Sequence, residues 1–124
     1  MKILGIDYGR RKAGLAIAEG PLAEPLRVIR YKDIKELEQK ILQLVRVLQV
    51  DKIIVGVSEG EIAQESKEFA QKISAETFDE TLTTQDAQSL SITAGIKRKK
   101  RKDMEDAYAA AIMLQEYIDR SIKK

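Results

Sequence analysis

The chain has 124 residues, 44% of them hydrophobic and 34% charged, with two prolines and neither cysteine nor histidine. This is an ordinary globular composition, expected to form a single domain over residues 1–124. The missing residue types exclude disulfides, thiol nucleophiles, structural zinc sites and every histidine-based triad.

Acid–base or metal chemistry must therefore run on carboxylates, lysine or hydroxyls. The 20 Asp and Glu residues favour a hard, oxygen-binding cation such as Mg²⁺. No apolar run reaches the roughly 18 residues a membrane-spanning helix requires. Asp7 interrupts the apolar start where a secretory leader needs an unbroken block. A cytoplasmic protein without a membrane partner is expected.

Residues 2–7 alternate loosely between apolar and polar types and predict a strand ending at Asp7. Tyr8-Gly9-Arg10-Arg11-Lys12 reads as a turn, and Ala13 to Glu19 as a second strand. Gly20 and Pro21 break the pattern, and a third strand over Leu26 to Tyr31 follows Pro25. Three strands so closely spaced imply an antiparallel meander.

The period then changes. Ile34, Leu37, Ile41, Leu44, Val45 and Leu48 share one helical face, with Asp33 as N-cap and Glu36 three residues later. Lys52 to Val57 is a β-branched run suited to a central parallel strand buried on both sides. Ile62, Ser66, Phe69, Ala70 and Ile73 mark a second helix. Thr77 and Phe78 mark a brief fifth strand. A short helix is expected between Thr83 or Thr84 and Gly95, and a last one through Met104, Ala107, Ala111, Leu114 and Ile118. The pattern is a mixed α/β sheet with crossover helices on its faces.

Three acidic clusters fall at element ends: Asp7, then Asp79 with Glu80, then Asp103, Glu105 and Asp106. Carboxyl ends of strands are where α/β sheets collect their sites. Three or four converging carboxylates without histidine form a cage for one or two Mg²⁺ ions, the arrangement that cleaves phosphodiesters. Each cluster has a plainer reading. Asp7 can form a turn, Asp79 or Glu80 can face solvent, and Asp103 is a good N-cap for the last helix. Asp106 is harder to explain so, because it adjoins the apolar run from Ala107 to Leu114 and needs a positive partner there.

Lys97-Arg98-Lys99-Lys100-Arg101-Lys102 is an unbroken basic hexamer. With those six set aside, 16 basic residues remain against 20 acidic, a net of −4. A concentrated basic loop on an acidic body implies contact with a polyanion, where the plainer alternative is a solvated loop.

Taken together, these blocks resemble the YqgF family, also called RuvX, of RNase H-like nucleases. Ile3 to Gly9 through Gly14-Leu15-Ala16 is similar to its opening strand-turn-strand motif. Ile53 to Gly56 resembles its fourth strand, and Asp79-Glu80 with Leu82-Thr83-Thr84 its acidic signature. The basic run, Asp106-Ala107 and Ala109-Ala110 resemble its C-terminal motif. Arg10 stands where the family has threonine and Thr81 where it has arginine, and the loop after Val57 is short.

The resemblance implies an RNase H-like mixed five-stranded sheet with helices on both faces. It implies metal-dependent cleavage, with Mg²⁺ or Mn²⁺, of branched DNA or of the small-subunit ribosomal RNA precursor. Asp7, Glu80 and Asp106 are then the catalytic, metal-binding carboxylates, assisted by Asp103. Arg10, Arg11, Lys12 and the six bases from Lys97 to Lys102 are expected to contact nucleic acid, as a monomer or a homodimer. Two alternatives stand beside this reading. One is a catalytically weak or inactive nucleic-acid-binding protein of the same fold. The other is a fragment of an actin-like ATPase, which Asp7, Gly9 and Gly14 resemble in one hairpin.

Overall fold

A computed structural model describes residues 1–57, 60–79 and 98–122, with the side chains of 98–103 and 122 left out. Its elements are β1 (Lys2–Asp7), β2 (Lys12–Glu19), β3 (Ala23–Arg30), α1 (Ile34–Leu48), β4 (Lys52–Val57), α2 (Glu61–Lys72), β5 (Glu76–Asp79) and α3 (Arg98–Ile122). The five strands form one sheet in the order β3-β2-β1-β4-β5. β1, β2 and β3 pair antiparallel, while β4 and β5 run parallel to β1. This is the mixed sheet expected. The helix expected between residues 83 and 95 lies outside the described residues.

Two differences from the sequence reading have local causes. β3 begins at Ala23, before Pro25 and not after it. β3 is an edge strand, where a residue without an N–H is tolerated. Ala16 pairs with Pro25 and Leu15 with Arg27, so Leu26 forms a bulge that absorbs the proline. The last helix starts at Arg98, which puts Asp103 inside it and corrects its expected role as N-cap. Five of the six bases therefore lie on a helix and not in a loop. Lys and Arg are good helix formers, so the run extends the helix.

α1 starts as its sequence requires. Asp33 caps it by accepting from the Lys35 N–H, and Glu36 accepts from the Lys32 N–H just outside the helix. Leu37 and Ile41 of α1 join Phe69 and Ala70 of α2, Leu4 and Ile6 of β1, and Val55 of β4 in one core. The opposite sheet face is covered by α3, whose Ala110, Met113, Leu114 and Ile118 pack on Ala16, Ala18 and Ile54. Ile54 and Val55 thus serve opposite faces of β4, which is buried on both sides as its β-branched run requires.

The period of two along each strand sorts the functional residues by face. Gly5 meets Leu114 of α3, so Ile3, Gly5 and Asp7 share the α3 face of β1. Their antiparallel partners Ala18, Ala16 and Gly14 line the same face of β2. α3 crosses Gly14 so closely that a β-carbon there would sit 1.9 Å from the Asp106 carbonyl oxygen. The obstacle is backbone and cannot step aside.

At Gly5 the nearest atom is Leu114 Cβ, 3.0 Å away, so α3 would have to give by only a few tenths of an ångström. Gly14→Ala should therefore destabilise the fold by roughly 3 kcal/mol or more, and Gly5→Ala by about 1 kcal/mol. Urea denaturation of both variants, at equal slope, tests this order.

Candidate active site

Asp7 ends β1 in register with Gly14 of β2 on one side and Gly56 of β4 on the other. Both neighbours lack a side chain, so the sheet is bare around Asp7. Asp106 approaches from α3, with its backbone against Gly14. Asp7 and Asp106 thus both adjoin Gly14, on the α3 face of the sheet. Asp106 finds the positive partner its position demands: Lys12 Nζ lies 3.0 Å from Asp106 Oδ2. Lys12 belongs to the same face of β2 as Gly14, two residues away.

Phe78 of β5 pairs in register with Gly56, and Asp79 with Val57. Glu80, next in the chain, lies outside the described residues, as do Thr81 and Lys97. Asp103 is described by its helical backbone alone, and so are Arg98 to Lys102. Among the residues whose side chains are described, no three carboxylates cluster.

The turn from β1 to β2 is fastened from the other face. A β-carbon at Gly9 would come within 2.5 Å of the Lys12 carbonyl oxygen, which is why the turn needs glycine. The Tyr31 hydroxyl donates to the Gly9 carbonyl, and the Tyr31 N–H donates to the Arg11 carbonyl at 3.0 Å. The Tyr8 ring packs on Phe69 of α2, with centroids 5.3 Å apart.

Arg10, expected on nucleic acid, is engaged by α2. Its Nη2 lies 2.6 Å from Glu65 Oε2, its Nε donates to the same oxygen at 2.9 Å, and Glu61 Oε2 stands 3.6 Å away. The Glu65 carboxylate raises the Arg10 pKa, by hydrogen bonding first and charge second. Arg11 is exposed beside it. The contacts of Tyr31, Glu61 and Glu65 had no sequence signal, since the Arg10–Glu65 bond spans 55 residues.

A match to the RuvX family, described as Holliday junction resolvase, covers residues 1–120. The chain belongs to the RuvX family. A relative from Bacillus cytotoxicus, named "Putative pre-16S rRNA nuclease", is 35% identical over 96% of this chain and 98% of its own length. One of the same name from Agathobacter rectalis is 32% identical over 96% and 95%.

Among solved structures, RuvC of T. thermophilus in complex with a Holliday junction substrate superposes with a TM-score of 0.66. It is 15% identical over 100% of this chain and 97% of its own. The Fowlpox virus resolvase, in complex with Holliday junction DNA, gives 0.65 at 14% identity over the full length of both chains. These neighbours share the RNase H-like fold, and the RuvX members form a nuclease family.

Burial raises the Tyr31 pKa well above its ordinary 10.0, with its hydrogen bond to Tyr8 adding to the shift. A raised folded pKa means that the contribution is complete below pH 10 and is lost as pH climbs further. Tyr31→Phe should cost about 1–3 kcal/mol at pH 7, because it leaves the Gly9 carbonyl short of a donor. The variant should also lose stability less steeply than the parent above pH 10. Denaturation curves at pH 7 and at several pH values above 10 measure both effects.

Proposed function

We propose that this RuvX-family chain is a metal-dependent endonuclease acting on structured nucleic acid in the cytoplasm. The observation that carries the reading is that Asp7 and the backbone of Asp106 both adjoin Gly14 on one face, at the carboxyl end of the central strand. The donor set fits a hard cation, because its atoms are carboxylate oxygens and an ammonium already sits on one of them. Asp7 and Asp106 would hold Mg²⁺ or Mn²⁺. Glu80 would complete the set by its match to the family's acidic signature, and Asp103 would assist from one helical turn before Asp106. When bound, the metal supplies activation of a water and stabilisation of the leaving oxygen.

The chain's own residues do the remainder. Asp7 stands on a strand hydrogen-bonded on both sides and holds its carboxylate rigidly. Arg11 and the bases from Lys97 to Lys102 neutralise phosphates, a contact that positions the substrate without reading its sequence. The relatives' names favour precursor ribosomal RNA, and the neighbouring folds were solved on branched DNA.

The decisive assay compares cleavage of both substrates by the parent and by Asp7→Asn. Hydrolysis should need Mg²⁺ or Mn²⁺ and fail with Ca²⁺, whose looser coordination disturbs paired-metal geometry. Asp7→Asn should still bind but not cut. Cutting in EDTA would overturn the reading, and binding without cutting by the parent would instead favour a non-catalytic binding protein. Replacing four of the bases from Lys97 to Lys102 with Ser should weaken binding to all sequences alike and flatten its salt dependence. Affinities measured across a range of salt concentrations check this.

A further inference from the structure

Lys12 and Asp106 come from opposite ends of the chain, and the approach of α3 to Gly14 brings them together. Their ammonium and carboxylate stand 3.0 Å apart with the side chains 46% and 30% exposed. Water screens a pair this open, so its partners can exchange. Arg10, two residues earlier, is already held on α2 by Glu65 and Glu61. Of the three bases in this turn, it is Lys12 whose charge falls on an acid of the proposed metal centre.

A carboxylate that is only partly exposed beside an apolar helix face favours a counter-charge. A divalent cation supplies more of that charge than an ammonium does, and both want the same oxygens. We propose that Lys12 is a positioning residue and an exchangeable counter-charge. Its ammonium holds the Asp106 carboxylate in place until a divalent cation displaces it. The inference rests on the metal-centre reading above.

The test uses Mn²⁺ alone, titrated calorimetrically into the full chain and its variants without nucleic acid. Lys12→Met removes the competitor and should bind Mn²⁺ about fivefold more tightly than the parent, the low end of ordinary coupling between ligands. Lys12→Arg keeps the charge and should stay close to the parent, while Asp106→Asn should bind far more weakly. A merely structural lysine would lower stability on removal without tightening the metal.

A second measurement needs no variant to fold. In ¹³C-lysine-labelled parent protein, the Lys12 Cε resonance should move in step with Mg²⁺ saturation. If the parent binds Mn²⁺ through Asp106 but Lys12→Met binds no tighter, or the Lys12 resonance stays still, the exchange is overturned and the metal centre stands. If the parent binds no Mn²⁺ at all, the metal centre falls and the exchange with it.

Discussion

Helix α3 lies against the sheet with no room for a β-carbon at Gly14, and the arrangement of acids depends on that approach. Asp7 is opposite Gly14 in the β1–β2 ladder, and the backbone of Asp106 and Ala107 in α3 lies against it. A helix standing off at the ordinary 10 Å or so of face-to-face packing would carry Asp106 away from the strand end. Small side chains on both sides make the approach possible. The sheet offers Gly5, Gly14, Ala16 and Ala18, and the helix offers Ala107, Ala110 and Ala111.

A contact at one point leaves a 25-residue helix free to swing, and the far end of α3 removes that freedom. Tyr117 accepts from Lys52 Nζ at 2.8 Å and donates to Glu76 Oε2 at 2.9 Å, tying the helix to the starts of β4 and β5. Its ring meets Phe78 edge-on at 5.8 Å, and Arg120 lies over the other aromatic partner, 5.5 Å from the Phe78 centroid. On the opposite face of the sheet, Tyr31, Phe69 and Glu65 fasten the β1–β2 turn. The surroundings of Asp7 and Asp106 are therefore braced from two sides by residues that are not among the proposed acids.

Much of this was legible in the sequence. Period two gave the sheet its strands, and the spacing from Ile34 to Leu48 with Asp33 before it gave α1 its start. The unease of a carboxylate at Asp106 pointed to a cation, though not to which one. Lys12 is 94 positions away, and nothing local to either residue announces the other. The same limit hid the bond from Arg10 to Glu65. Pro25 misled because a proline argues against a strand only where its N–H would be used, and edge position is a property of the whole sheet. Asp103 misled because a good capping residue is also tolerated within a helix once the preceding bases extend it.

The smallness of the α3 face has a consequence during synthesis. α3 is the last described element, so the chain can assemble β1 to β5 and cover one side with α1 and α2 before the other side has its helix. Alongside Ile3 and Ile54, the face left waiting carries Gly5, Gly14, Ala16 and Ala18, where the opposite face carries Leu4, Ile6, Leu15 and Val55. Apolar area, not the mere fact of exposure, drives a nascent sheet to associate with its neighbours. The side that must wait for its cover is the side with the least to hide.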